Sequence, residues 1–200
     1  MKQLSLSSVE VENIVIVNVA AVSRALIVRD DTGELDQICW SSDTQRPDSD
    51  VIDRQAPRCI DCKHNIRGSQ VRRCAYQQIL AVVKEDNLEE VYRLKLPATS
   101  IFGKTTTGMP LQQYAKYITK NNTNVSHVVT CMYRDTKSSW PKVFFKPVRS
   151  LEVEERHKVN EVYAQPHIKK VLTLSAFGSS TTPSPFSKVE GYIHNNHSEE

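Results

Sequence analysis

Four cysteines have the spacing of a metal site. Cys39 is followed by nineteen residues, Cys59, two residues, Cys62, eleven residues and Cys74. A Cys-x-x-Cys pair allows two thiolates to face one ion from a tight turn, and two further cysteines complete a closed tetrahedral shell. The pattern predicts one structural zinc ion held by these four side chains.

Three other interpretations of these cysteines stay open from the residues alone. All of them can be buried free thiols, the close pair can be a redox motif, or His64 can replace one thiolate. A redox pair belongs to a βαβ context, which the surrounding residues do not predict. A catalytic zinc needs an open position and a nearby acid or base, and the histidine–glutamate signature of the zinc deaminases is absent. Cys131 lies in an apolar run and is predicted to be a core residue.

Charge is strongly segregated along the chain, although the net charge is only +3. Between residues 91 and 149, ten basic residues accompany a single acid, Asp135. The segment 54–74 adds six basic residues against Asp61. Such a block pattern predicts a cationic surface that meets an anionic polymer, with an affinity that falls steeply as salt rises.

Aromatic residues are interleaved with these charges. Single-strand binding proteins use this mixture, because cations contact phosphates while rings stack on bases at about 1–3 kcal/mol per base. Tyr114 shares a predicted helix face with Ile118 and is assigned to the core, and Trp40 could equally shield the metal. The predicted nucleic-acid contacts are Trp40, Lys63, Arg67, Arg72, Arg73, Arg93, Lys95, Phe102, Lys104, Lys116, Tyr133, Arg134, Trp140, Lys142 and Lys146.

The residues give no sign of a catalytic centre. The segment 99–109 is rich in glycine and threonine, but it lacks the order of a phosphate-binding loop. It is predicted to be a flexible DNA-contacting loop, with an inert surface loop as the alternative. Residues 91–149 carry almost no acids, so paired carboxylates for metal-dependent cleavage are missing there. We therefore predict that the protein is not an enzyme and has no small-molecule substrate.

Hydrophobic patterning predicts a chain rich in strands, with residues 30–53 as a loop. Helical spacing marks 110–121 and 151–164. The predicted strands lie at 9–30, where two are expected, and at 76–86, 91–97, 125–134 and 141–149.

This order, with no βαβ alternation, is typical of a β-rich α+β fold or a small barrel. We predict an OB-like small barrel with an inserted zinc-binding knuckle and one or two helices. The predicted nucleic-acid-binding domain covers residues 1–175, with the knuckle at 39–74. Residues 176–200 are predicted to be a flexible tail.

The longest apolar stretch, residues 14–28, does not predict a membrane span. Asn18 and Arg24 interrupt it, and it is shorter than the roughly 20 residues that a span needs. Glu10 and Glu12 precede it, which is unlike a signal peptide. We predict no membrane contact and a cytoplasmic location, where thiols stay reduced.

Several segments carry a resemblance to a known family. They are CWSS at 39–42, PRCIDCKHNIRGS at 57–69, RC at 73–74 and YRLKLPATS at 92–100. Over roughly residues 36–150 the chain resembles a group of bacteriophage single-stranded DNA-binding proteins that carry a zinc knuckle within an OB-like domain. The resemblance implies that the four cysteines are the zinc ligands and that the basic strands hold DNA.

The expected function is sequence-tolerant binding of single-stranded DNA in phage DNA replication or recombination, in the cytoplasm of an infected bacterial host cell. Phage replication or recombination proteins are the expected partners. The alternative is a zinc-ribbon protein-interaction module or transcription regulator that docks on RNA polymerase. In that case the knuckle itself would be the contact surface.

Overall fold

The computed structural model describes residues 2–4, 10–29, 33, 35–65, 74–139 and 141–174. The described chain forms two compact units. The first is built from Met1–Ala20 and Ile79–Thr173, and the second from Ala21–Gln78 and the residues after Thr173. The predicted tail at 176–200 lies outside the described residues.

Eight strands and four helices make up the described structure. The strands are β1 Lys2–Gln3, β2 Val11–Val19, β3 Ser23–Arg29, β4 Leu35–Ser41, β5 Cys74–Lys84, β6 Asn87–Pro97, β7 Val128–Arg134 and β8 Val143–Ser150. The helices are α1 Ala98–Ile101, α2 Leu111–Lys120, α3 Val153–Ala164 and α4 Pro166–Leu172. Short 3-10 turns lie at Cys59–Asp61, Lys63–Asn65 and Val125–His127.

The sheet of the first unit is open and mixed. Its strand order is β1-β6-β5-β2-β7-β8, in which β1 runs parallel to β6. Strand β2 pairs antiparallel with both β5 and β7, and β7 pairs antiparallel with β8. The predicted β-rich α+β class is therefore confirmed.

The two faces of this sheet have separate helical covers, because successive residues of a strand point to opposite faces. Val15, Val83 and Val129 lie in one cluster with buried residues of α3 and α4. On the other face, the hydroxyls of Tyr114 in α2 and Thr130 in β7 form a hydrogen bond of 2.6 Å. Tyr114 is buried, as predicted.

The local predictions were correct where the periodicity was clear. Helices α2 and α3 and the strands β2, β3 and β5 to β8 lie within a few residues of the predicted segments. The loop predicted for 30–53 was wrong over 35–41, where strand β4 forms. The composition of the predicted loop indicated turns, but the ladder with β3 makes this segment a strand. Helices α1 and α4 and strand β1 were not predicted, and α1 occupies the start of the loop predicted for 99–109. Ile168 and Val171 supply the buried face of α4.

An ion-pair network joins β5, β8 and the start of α3. The Arg149 guanidinium donates to both carboxylate oxygens of Glu155, at 2.7 and 2.9 Å, and to Glu85 at 3.0 Å. Glu155 also accepts the backbone N–H of Glu152 at 2.8 Å, which completes a capping box for α3. Arg149 is therefore paired, although its position in a basic block indicated a free surface charge.

We expect the free energy of unfolding to fall as the pH drops from about 4.5 to about 2. The Arg149 guanidinium, aided by the Glu152 N–H, lowers the pKa of Glu155 to about 2. A carboxylate whose pKa is lower when folded stabilises the fold above its unfolded-state pKa, and this stabilisation is lost as the pH falls through the folded value. Urea unfolding across this window should show a flatter dependence for Glu155→Gln. Equal flattening by Glu154→Gln, an exposed control on the same helix, would contradict the assignment.

Within the described ranges, no helix has the length and apolar character to cross a membrane.

Candidate metal centre and nucleic-acid interface

The second unit aligns two of the four cysteines across three strands. Strand β3 lies between β4 and β5, and Leu26 of β3 pairs with Cys39 on one side and with Cys74 on the other. Residues that pair directly across antiparallel strands point to the same face. Cys39 and Cys74 therefore face the same side of this small sheet.

Cys59 begins the first 3-10 turn and Cys62 links the first turn to the second, and backbone hydrogen bonds fix both residues. The Cys59 N–H donates to the Gln45 carbonyl at 2.7 Å, and the Cys62 N–H donates to the Cys59 carbonyl at 3.4 Å. The Asn65 side-chain amide also donates to the Cys59 carbonyl, at 2.7 Å. Both thiol residues are buried. The segment Cys59–Asn65 lies within the predicted knuckle at 39–74.

The acidic loop before the 3-10 turns positions Cys59. Asp43 accepts hydrogen bonds from the backbone N–H groups of Gln45 and Arg46 and from the Ser41 hydroxyl, and these bonds lower the pKa of its carboxyl group. The resulting turn presents the Gln45 carbonyl to Cys59. Asp43 thus organises the backbone of this loop.

Burial and neighbouring cysteines raise the pKa values of Cys39 and Cys74. Burial raises the pKa of Cys39; a backbone N–H from Gln55 opposes the rise, and the neighbouring Cys59 and Cys62 add to it. Burial also raises the pKa of Cys74, to about 11, against the charge of Arg24 and with contributions from the other three cysteines. Deprotonating these thiols together therefore needs a compensating positive charge.

The described side chains do not form a closed coordination shell in this structure. No three His, Cys, Asp or Glu side chains among them stand at the spacing of metal ligands. Cys39 and Cys74 are two strand spacings apart, about 9–10 Å between backbones, whereas zinc–sulfur bonds are about 2.3 Å long. Binding one zinc through all four thiolates requires them to move inward from these positions.

A buried arginine lies on the same face as the cysteines. Arg24 of β3 pairs with Ser41 and Tyr76, two residues before Leu26, and is only 3% exposed. Its guanidinium carbon lies 4.3 Å from the centroid of the Tyr76 ring, and its Nη2 donates to the Asn65 side chain. No carboxylate in the described part of the chain pairs with it, and its Nε has no hydrogen-bond partner there.

Sequence reasoning did not select Arg24 as a functional residue. It chose basic residues near the cysteines along the chain, whereas Arg58 forms an exposed ion pair with Asp61 at 2.7 Å. The available signal was a charged residue inside the apolar run 14–28. Lone charges are seldom buried in strands without a partner.

A cationic and aromatic surface forms where β7 and β8 meet in the first unit. Tyr133 pairs with Phe144, and their ring centroids lie 5.8 Å apart. The Lys146 amine is 5.5 Å from the Tyr133 centroid, and the Lys142 amine is 4.6 Å from the Phe144 centroid. Tyr133 is half-buried and Phe144 is buried beneath it. We call these four residues the β7–β8 surface.

The threonine-rich segment packs against this surface. An added β-carbon at Gly108 would lie 2.5 Å from Phe144 and 2.7 Å from the Tyr133 hydroxyl, so only glycine permits this close approach. The Thr105 hydroxyl accepts the backbone N–H groups of Thr107 and Gly108, at 3.0 and 3.3 Å. The segment that precedes Gly108 carries Phe102, which is half-buried, and Lys104, which is exposed.

The other predicted contacts are dispersed over the two units. Arg93 is half-buried on β6 and donates to the Thr173 carbonyl at 3.2 Å, and burial lowers its pKa. Lys95 also lies on β6, Lys116 is exposed on α2, Arg134 is exposed at the end of β7, and Lys63 is exposed in the knuckle. Arg67, Arg72, Arg73 and Trp140 lie outside the described residues.

Trp40 does not lie on a surface that a base could stack on. It is 5% exposed, and alternation along β4 directs it to the face opposite Cys39. Its burial favours a packing role over base stacking. Cys131 is buried in β7, as predicted.

Comparisons of the chain with family models, with curated proteins and with solved structures find no match.

Proposed function

We infer that the protein binds single-stranded DNA without strong sequence preference and performs no catalytic step. The observation that carries this proposal is the β7–β8 surface, where two lysine amines lie over adjacent aromatic rings. Cations that follow a phosphate backbone beside rings that stack on bases are the usual elements of sequence-tolerant single-strand recognition. On this proposal, Tyr133 offers the ring, Phe144 supports it from below, and Lys146 contacts phosphate.

The proposal includes one structural zinc ion held by Cys39, Cys59, Cys62 and Cys74. Four thiolates around one Zn²⁺ leave a net charge of −2, and Arg24 is the buried positive charge on the same face. The absence of a carboxylate partner for Arg24 among the described residues supports this pairing. Zinc would supply rigidity to the second unit, and no chemical step depends on it.

The predicted barrel, the cellular role and the location bear on this proposal in different ways. An OB-like barrel is not needed, because the β7–β8 surface belongs to an open strand path. A role in phage replication or recombination, with partners from that machinery, and a cytoplasmic location rest on the family resemblance and on the reduced thiols that zinc binding requires.

One observation favours the alternative of a protein-docking module. Ile52 is fully exposed in the second unit and Ile60, between two predicted zinc ligands, is 76% exposed. On this alternative, the two side chains would supply apolar contacts for the partner protein. Failure to bind oligothymidylate at low salt would overturn the DNA proposal and leave this docking function as the better account.

A titration with oligothymidylate at several salt concentrations tests the DNA proposal. We expect Lys142→Gln combined with Lys146→Gln to reduce the slope of log affinity against log salt by about 0.7, the contribution of one phosphate contact on a single strand, because Lys142 is paired with Asp135 at 3.4 Å and Lys146 is the phosphate contact. Lys169→Gln combined with Lys170→Gln removes two exposed lysines from α4 and should preserve the slope. Equal losses in both double variants would contradict the assignment of this surface.

A further inference from the structure

A continuous groove runs along the C-terminal half of α2 in the first unit. Two adjoining depressions of about 890 and 610 Å³ share Ala115, Thr119 and Asn122 as lining residues. The larger one extends over the turn after α2 to the end of β8 and to α3. The smaller one follows the exposed side of α2.

The groove is lined by basic and neutral polar groups. Lys116 and Lys120 line the smaller depression, and Arg156 and His127 line the larger one. Neither depression has an Asp or Glu in its lining. None of the three permanent cations makes an ion pair with a described residue. The carboxylate of Glu155, the residue before Arg156 on α3, is held by Arg149.

Capping weakens the negative end of the α2 dipole beside this groove, because the last carbonyls of the helix are satisfied. The Tyr117 carbonyl accepts the Asn121 side-chain amide at 2.8 Å. The Ile118 carbonyl accepts the backbone N–H groups of Asn121 and Thr123, at 3.1 and 3.3 Å, and the Thr119 carbonyl accepts that of Asn122 at 3.0 Å. Capped carbonyls carry little of the partial charge that uncapped helix ends present.

The shape and lining favour a polymer backbone over a compact apolar ligand. The side chains of Asn122, Asn124 and Ser150 offer hydrogen-bond donors along the larger depression, whereas its two threonine hydroxyls already donate to backbone carbonyls. Phosphate contacts with flanking neutral donors are what a sugar–phosphate chain requires.

We propose that this groove is a second binding site for the sugar–phosphate backbone of single-stranded DNA, with Lys116, Lys120 and Arg156 as its phosphate contacts. The proposal rests on the proposed function and extends it. The groove lies at the Val128 end of β7, and the β7–β8 surface lies at the Arg134 end. Seven strand residues separate the ends by about 20 Å, so one strand that occupies both sites must be long.

Salt-dependent titration of a long oligothymidylate tests this second site. Lys120→Gln combined with Arg156→Gln should reduce the salt slope by about 1.4, which corresponds to two phosphate contacts on a single strand. The α4 control, Lys169→Gln with Lys170→Gln, removes the same number of charges from an exposed helix and should preserve the slope. Thermal unfolding of each variant checks that its fold is intact.

A measurement on the unsubstituted protein keeps the test valid if the groove variant does not fold. Bound oligothymidylate should slow acylation of Lys116 and Lys120 relative to Lys169 and Lys170. An unchanged slope or unprotected groove lysines, while the β7–β8 variant loses affinity, would overturn the second site and leave the proposed function intact. A wild-type protein that binds no oligothymidylate would overturn both.

Discussion

Purified protein is expected to contain about one zinc ion per chain, and Cys59→Ser is expected to remove it. A closed tetrahedral shell uses all four thiolates, and a serine hydroxyl does not replace one at neutral pH. Structural zinc binding in small modules contributes about 10–16 kcal/mol, so we expect a large loss of stability in the second unit. Metal analysis and the reactivity of the remaining thiols measure the two effects.

The fifth cysteine provides a matched control for this experiment. Cys131 is buried in β7 of the first unit, whereas the four predicted zinc ligands belong to the second unit. Cys131→Ser should keep the full zinc content while disturbing only local packing. Wild-type protein that is stably folded without zinc would contradict the metal proposal. Equal zinc loss in Cys59→Ser and Cys131→Ser would also contradict it.

The second large effect is expected at Arg24. We expect Arg24→Gln to weaken zinc binding by about 10–100-fold, which is the usual cost of losing a residue that stabilises the metal ligands without binding the metal itself. The same substitution should not lower the stability of the metal-free protein, because it removes a buried charge that has no carboxylate partner in the described structure. Chelator competition measures the first quantity, and urea unfolding of metal-free protein measures the second.

Two further variants separate charge from geometry. Arg24→Lys keeps the charge but loses the planar group that stacks on Tyr76 and bonds Asn65, so it should restore part of the zinc affinity. Arg29→Gln, at the exposed end of the same strand, should change neither quantity. Parallel losses of stability with and without zinc in Arg24→Gln would show that the arginine is only a structural residue.

Local features of the fold were predictable because they depend on nearby residues. The spacing of Leu111, Tyr114 and Ile118 indicated α2, and apolar β-branched runs indicated β2 and β7. Strand β4 was missed because its partner, β3, and not its own composition, makes it a strand. The open path of the sheet depends on pairings between distant segments, which periodicity does not encode.

The sequence predicted which residue types form the candidate site, but it did not predict which of their side chains are exposed. Tyr133, Lys142 and Lys146 were chosen as contacts, and the fold brings them together at the β7–β8 surface. Trp40 was chosen by the same reasoning and is buried. Exposure depends on which neighbours cover a side chain, so the aromatic residues could not be separated by composition.

The sequence by itself determined the set of four cysteines, the separation of basic from acidic segments and most of the strands and helices, because each follows from residue type and short-range spacing. Only the tertiary structure decided which charges remain available. Pairing of β3 with β4 and β5 places the Arg24 charge on the cysteine face. Long-range contacts neutralise Arg149 and cover Arg93, while Lys120 and Arg156 line adjoining depressions and form no ion pair with a described residue. The sequence determines which residues are charged, whereas the fold determines which of these charges form ion pairs.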